Sequence, residues 1–178
     1  MKNKSLSIAS GGIVLFIWGF ISWGILPWHS AVTNKLTNES VVAQVLKQNA
    51  PTPGIYFLPF AEEDFKLGET TAFLSILPNG YHGDMGQMMA TGMIGQIISA
   101  FLMLLILQNT SVSSYWGKVR FITLVGVSIG FISHYTYWNW FEFATPYILL
   151  TILDSLIGWF LAGLVMAKFH EHRNIESV

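Results

Sequence analysis

Four long apolar segments that are almost free of charge constrain the fold of this chain more than any other feature. A transmembrane helix needs about 20 predominantly apolar residues to cross the hydrocarbon core of a bilayer. The segments that meet this requirement are Ile8–Trp28, Met85–Leu107, Phe121–Trp140 and Pro146–Ala167. Their only ionisable side chains are His134 and Asp154. Charged residues make up 11% of the chain, whereas a soluble domain has about a quarter, so we predict an integral membrane protein.

Basic residues near the ends of these segments predict their orientation. With four spans, six of the nine basic residues fall on one side of the membrane, namely Lys2, Lys4, Lys118, Arg120, Lys168 and Arg173. Short loops rich in Lys and Arg stay on the cytoplasmic side. We therefore predict that both termini are cytoplasmic, and we expect a bacterial inner membrane.

This topology divides the chain into successive parts. They are a cytoplasmic N-terminus with the first span (1–28), an extracytoplasmic cap (29–84), the second span (85–107), a cytoplasmic loop (108–120), the third span (121–140), an outer turn (141–145), the fourth span (146–167) and a cytoplasmic tail (168–178).

The extracytoplasmic segment contains signals for one helix and two strands. After Thr37, which suits a helix N-cap, the run NESVVAQVLKQNA places its valines on one helical face, and PTPG ends it. The runs GIYFLPF and TTAFLSILP favour strands, which the acidic run AEEDFKLGE joins as a hairpin. The predicted fold is an all-α membrane bundle of four transmembrane helices with a small α+β cap between the first and second. This layout is similar to that of claudin-type proteins, but the loop has no cysteine pair, so the resemblance implies no function.

The two intramembrane ionisable residues predict a polar pocket. A rise of about 1.5 Å per helical residue places His134 about 9 Å and Asp154 about 12 Å below the outer ends of their spans. Because these spans are consecutive and antiparallel, we expect the two side chains to touch. Gln96 and Ser22 lie at comparable depth, so all four are candidates for a ligand site or a proton relay. In the structural alternative, a protonated Asp154 hydrogen-bonds a serine and joins the helices.

Histidines and carboxylates near the outer ends predict a metal site. The candidate ligands are His29, His82, Asp84, His134 and Glu142. Imidazole with carboxylate suits zinc, iron or manganese, and His134 with His29 could supply the two axial ligands of haem b. His82 and Asp84 also fit plain turn chemistry, because they adjoin Gly83 and because Asp84 suits a helix N-cap.

Methionines and glycines accumulate where the second span begins. Met85, Met88, Met89 and Met93 share one broad helical face. Thioethers with imidazole select Cu(I), so these residues are weak copper candidates, although methionine is a common filler of apolar packing. The neighbouring glycines, together with Gly126 and Gly130 on the third span, are expected to let helices approach closely. They are Gly83, Gly86, Gly92 and Gly95.

Composition excludes several classes of function. The net charge of −1 gives no basic surface for nucleic acid. The absence of cysteine excludes a disulfide framework, a cysteine zinc site, an iron–sulfur cluster and a thiol nucleophile.

Three functions remain, and the lipid bilayer is a partner in each. The first is a polar ligand-binding or metal-binding pocket, with a transition metal or haem b, in the outer half of the bundle. The second is a non-catalytic assembly subunit, a homo-oligomer or part of a larger membrane complex, that docks a partner through its cap. The third is an intramembrane hydrolase or transferase for a lipid-linked substrate, in which Asp154 orients His134 as the base and Ser22 or Ser133 is the nucleophile. The H-E-x-x-H motif is absent from the sequence, and its one match to G-x-S-x-G, GVSIG at residues 126–130, lies within a predicted membrane span and not at a strand-to-helix turn, which leaves enzymatic activity open.

The cysteine-free sequence makes the predicted topology directly testable. A membrane-impermeant maleimide should label Ser40→Cys in intact cells, because residue 40 lies in the extracytoplasmic cap. The same reagent should label Ser113→Cys only after the membrane is permeabilised. Labelling of Ser113→Cys in intact cells would contradict the predicted orientation.

Overall fold

The computed structural model describes residues 2–64, 66–81 and 83–170. It divides the chain into two compact units, one made of Met1–Thr33 with Met85–Val178 and the other of Asn34–Asp84. In chain order the elements are helix α1 (Lys2–Phe20), a π-helical turn (Ile21–Ile25), α2 (Trp28–Ala31), α3 (Glu39–Asn49), strand β1 (Gly54–Leu58), a 3₁₀ turn (Glu62–Asp64), strand β2 (Ala72–Ile76), α4 (Met85–Gln108), α5 (Tyr115–Phe141) and α6 (Thr145–Phe169).

The first unit contains the four predicted apolar helices. The π-helical turn extends α1, and each of α1, α4, α5 and α6 is long and apolar enough to cross a membrane. The number of long apolar helices predicted from the sequence is therefore confirmed for the described residues. Helix α5 begins at Tyr115, earlier than the apolar run that starts at Phe121, because the Ser114 hydroxyl accepts a hydrogen bond from the Gly117 N–H and caps the helix.

Helix α1 lies between α4 and α6, and α6 lies between α1 and α5, whereas α4 and α5 touch little. The core of the unit is formed by side chains from all four helices. They include Leu15, Ala100, Met103, Leu104, Leu107, Ile122, Ala162 and Met166. Because α6 packs on both α1 and α5, its side chains divide between two neighbours, and this division decides where Asp154 points.

Small residues set the distance between the packed helices. A Cβ atom on Gly12 of α1 would lie 2.8 Å from the Ile97 Cα of α4. Gly126 and Gly130 of α5 face Trp159 and Ser155 of α6 in the same close manner, as expected from the sequence. Gly95 of α4, in contrast, has no atom near the position of a Cβ, so α1 and not α4 supplies the glycine of their contact.

Hydrogen bonds join the helices at the end where α1 begins. The buried Lys118 of α5 donates from Nζ to the His170 carbonyl, 2.7 Å away, and so caps the C-terminus of α6. The buried Ser7 hydroxyl donates to the Met166 carbonyl of α6 at 3.1 Å. Lys4 donates to the Gln108 side chain at the end of α4. These three hydrogen bonds join α5 to α6, α1 to α6 and α1 to α4 at this end.

The second unit contains the predicted helix and hairpin. Helix α3 begins at Glu39 and is capped by Asn38, whose side chain accepts from the Val41 N–H, and not by Thr37. Strands β1 and β2 are antiparallel, and Phe57 pairs with Phe73 across them with ring centroids 4.9 Å apart. Such cross-strand aromatic pairs stabilise a two-stranded sheet.

The contrast between two glycines of α1 tests the helix packing. Gly12→Ala should lower the free energy of unfolding by about 1–3 kcal/mol, because its methyl group meets the Ile97 backbone. Gly19 has nothing within 4 Å of a Cβ position, so Gly19→Ala should leave stability unchanged or raise it slightly. Thermal unfolding of the detergent-solubilised variants measures both. Equal effects of the two substitutions would contradict the α1–α4 contact.

Candidate functional site

The end of α1 departs from regular helix and reverses the chain. The π-helical turn closes with a hydrogen bond from the Leu26 N–H to the Ile21 carbonyl at 2.9 Å. Leu26 is then extended (φ −76°, ψ 135°), as the residue before a proline usually is, and Pro27 leads into the short helix α2. Single π turns within helices occur frequently at functional sites. The reversal brings His29 of α2 back beside Ser22 of the π-helical turn.

His29 lies in a buried polar cluster with Ser22 and Asp154. The His29 Nε2 atom is 3.0 Å from the Ser22 hydroxyl oxygen and 3.5 Å from the Asp154 Oδ2 atom of α6. Ser22 is fully buried, His29 is 5% exposed, and the Asp154 side chain is 16% exposed. At 3.5 Å the contact between His29 and Asp154 is mainly electrostatic. We call these three residues the His29 cluster.

Three tryptophans surround the His29 cluster. The Trp18 indole donates to the Asp154 Oδ1 atom at 2.6 Å and to the Asp154 backbone carbonyl at 3.1 Å. The Trp28 indole donates to the Ser22 carbonyl at 2.9 Å. Trp23 stacks on the His29 ring, with centroids 3.7 Å apart and planes inclined by 13°. Apolar rings therefore shield the polar groups, while the indole N–H groups of Trp18 and Trp28 donate to oxygen atoms of Asp154 and Ser22.

The two nitrogens of His29 have unequal surroundings. Nε2 faces both Ser22 and Asp154, whereas Nδ1 is buried and has no hydrogen-bond partner among the described residues. A carboxylate only accepts hydrogen bonds, so a proton on Nε2 matches Asp154 and leaves an unpaired acceptor at Nδ1. A second proton would make Nδ1 an unpaired donor. In either state this nitrogen can bind one further polar group.

The predicted contact between His134 and Asp154 is replaced by a different pair. His134 is half-buried, and its Nδ1 donates to the Gly130 carbonyl of its own helix at 2.8 Å. Asp154 points to Trp18 and His29 instead. Depth along a helix follows from residue number, but the direction around the helix axis decides which neighbour a side chain reaches. Asp154 faces α1.

The other predicted site residues have separate positions within the described part of the chain. Gln96 is half-buried on α4, and Asp84 is exposed just before α4. Glu142 is exposed, and its backbone adopts a left-handed conformation (φ 51°) in which its N–H donates to the Tyr137 carbonyl at the end of α5. His82 lies outside the described residues. Glu142 thus has a local role in ending a helix.

The described residues contain no group of three or more His, Asp or Glu side chains that could hold a metal ion. Met85, Met88 and Met89 are exposed, at 68%, 38% and 39%, and Met93 is half-buried. The proposed metal and copper ligands therefore remain a prediction from the sequence.

The geometry does not match a Ser–His–Asp triad. In a triad the acid and the hydroxyl bind opposite nitrogens of the imidazole, but Ser22 and Asp154 both lie on Nε2 of His29. Ser133 hydrogen-bonds the Ile129 carbonyl of its own helix. The His29 cluster therefore lacks the arrangement that activates a serine in a triad.

Sequence reasoning missed the three tryptophans as site residues. None of the three is among the site residues predicted from the sequence. The signal was their regular spacing: Trp18, Trp23 and Trp28 recur every five residues, and His29 follows the last one. Comparison of the chain with protein-family models, with curated proteins and with solved structures gives no match.

The hydrogen bond from Trp18 to Asp154 is open to a direct test. Trp18→Phe keeps the ring but removes the donor, so the largely buried Asp154 carboxyl loses its shortest hydrogen bond. We expect the free energy of unfolding to fall by about 1–3 kcal/mol. Trp140→Phe is the control, because Trp140 is 74% exposed. Equal thermal stability of the two variants would contradict the assigned bond.

Proposed function

We propose that this protein is an integral membrane binding protein whose ligand site is the His29 cluster. The observation that carries the proposal is the unequal environment of the His29 ring, with two polar partners on Nε2 and none on the buried Nδ1. Positively charged residues further support a bacterial inner membrane with cytoplasmic ends, in which the His29 cluster occupies the outer half of the bundle.

The free-energy cost of burying ionisable side chains supports a functional role for the His29 cluster. Ionisable residues within membrane helices are rare and commonly mark ligand or ion pathways. A buried nitrogen without a partner costs about 1–3 kcal/mol. A cluster that served only to join α1 to α6 would need the bond between Trp18 and Asp154 but not a buried imidazole. The ligand supplies the missing partner of Nδ1.

Trp23 provides a route to the ring. Its side chain is 58% exposed, whereas the imidazole that it covers is 5% exposed. Because one exposed ring covers one face of a buried ring, rotation of the Trp23 side chain would uncover that face of His29.

A partner-docking role has separate support in the second unit. Phe60 and Leu67 are 88% and 95% exposed there. Both side chains belong to the segment between β1 and β2, and exposed apolar side chains that form a patch are typical of protein or membrane contact sites. Docking to another protein is therefore our second candidate function, and it is compatible with a ligand site in the helices.

Mass spectrometry of the purified protein tests the ligand site. Wild-type protein in mild detergent should release a small molecule on solvent extraction. His29→Phe keeps an aromatic ring against Trp23 but removes both nitrogens, so it should retain about tenfold less of that molecule, as expected for loss of a hydrogen bond to a buried group. Asp154→Asn, a milder change that keeps the Trp18 acceptor, should also reduce retention.

His134→Phe is the matched control, since it removes the other intramembrane imidazole without touching the His29 cluster. Circular dichroism establishes that each variant keeps its helical content. Identical extracts from wild type, His29→Phe and Asp154→Asn would refute the ligand site. A protein that co-purifies equally with all variants would support the docking role.

A further inference from the structure

We infer that the ligand of the His29 cluster is a lipid-soluble quinone, with its ring at His29 and its hydrocarbon chain in a groove between α1 and α6. This inference rests on the proposed ligand site and names the class of molecule that the surroundings of the site would accept.

The groove is apolar along its whole length. It has a volume of about 250 Å³, and α1 contributes Val14, Ile17, Trp18 and Ile21 to its walls, while α6 contributes Leu161, Leu164 and Val165. From Val14 to Ile21 it follows α1 for about 10 Å at 1.5 Å per residue. A hydrocarbon chain suits these apolar walls, because it has no hydrogen bonds to lose when it contacts them.

Trp18 connects the groove to the His29 cluster. Its ring lines the groove, and its indole nitrogen donates to Asp154. Ile21, which also lines the groove, directly precedes Ser22 in the chain. A single ligand that extends along α1 therefore meets apolar walls first and then polar groups, which is the order of chain and head in an amphipathic lipid.

Charge restricts the head group. The His29 cluster already contains the Asp154 carboxyl group in largely buried surroundings, so a fatty acid or a phosphate would add a second acid there at high electrostatic cost. An amine would have to share Asp154 with Trp18 and His29. A neutral carbonyl needs only one donor, which His29 Nδ1 supplies when both ring nitrogens carry a proton.

Shape selects a ring among the neutral heads. His29 is already stacked on Trp23 at 3.7 Å and lies edge-on to Trp28 at 6.0 Å. A flat conjugated ring whose carbonyl accepts from Nδ1 in the plane of the imidazole would lie parallel to the Trp23 indole and stack on it, because aromatic faces stack with offset planes. A quinone combines this ring with carbonyl acceptors and a hydrocarbon chain.

Ligand-induced thermal stabilisation in nanodiscs tests the inference. Decylubiquinone is the probe. Unfolding is followed by circular dichroism and not by tryptophan fluorescence, because the substitutions to tryptophan would change the fluorescence signal. The apparent Kd from the rise in melting temperature should weaken about tenfold in His29→Phe, through loss of the head contact. It should weaken similarly in Leu161→Trp, which fills the groove.

Leu149→Trp is the matched control, because Leu149 lies on the same helix, is 61% exposed and does not line the groove. It should bind decylubiquinone like wild type. If Leu161→Trp fails to fold, Leu164→Phe fills the same groove with a smaller ring. Decanol, which has the chain without the ring, and dioctanoylglycerol, a neutral lipid without the conjugated ring, should stabilise the protein less.

The outcomes separate this inference from the proposed function. If wild-type protein fails to bind decylubiquinone, or binds dioctanoylglycerol as well, the quinone assignment is overturned, while a molecule extracted in a His29-dependent manner still supports the ligand site. If decylubiquinone binds wild type and His29→Phe equally, its head is not at His29. Equal binding of decylubiquinone by Leu161→Trp and Leu149→Trp would show that its hydrocarbon chain does not lie in the groove.

Discussion

A carboxyl group within an apolar helix requires hydrogen-bond donors, and this requirement organises one end of the molecule. The donor that Asp154 obtains is the Trp18 indole, at 2.6 Å. This bond joins the first and last of the four apolar helices, which are far apart in sequence. It also fixes the side of α6 on which the acid lies. The position of His29 beside the second carboxyl oxygen follows from that choice.

Close packing makes such a bond geometrically accessible. Gly158 of α6 lies against the Trp18 ring, where a Cβ would approach its Cδ1 atom to 2.8 Å. The indole can therefore lie flat along α6 and still direct its N–H towards Asp154, one helical turn away. A larger residue at position 158 would push the ring outwards. Small residues here serve the polar contact as well as the packing.

The two ends of the helices use polar residues differently. At the end where α1 begins, Ser7 and Lys118 donate to the Met166 and His170 carbonyls at the C-terminus of α6. At the opposite end, the buried Nδ1 atom of His29 has no hydrogen-bond partner among the described residues. The polar side chains of the first end cap a helix, whereas those of the second surround a buried imidazole and a carboxyl group. This difference is the reason for assigning function to the second.

The number of apolar helices, the helix and hairpin between the first and second of them, and the importance of Asp154 are predictable from the sequence. These features depend on local composition and periodicity, since a bilayer demands long apolar segments and a lone carboxyl group within one is costly wherever it points. The contacts of Asp154 with Trp18 and His29, and the hydrogen bond of His134 to its own backbone, follow instead from how the helices pack. Residue number gives the depth of a side chain but not which neighbouring helix it faces, because that direction depends on how glycines let α1 and α6 pack and on how the π-helical turn and Pro27 reverse the chain.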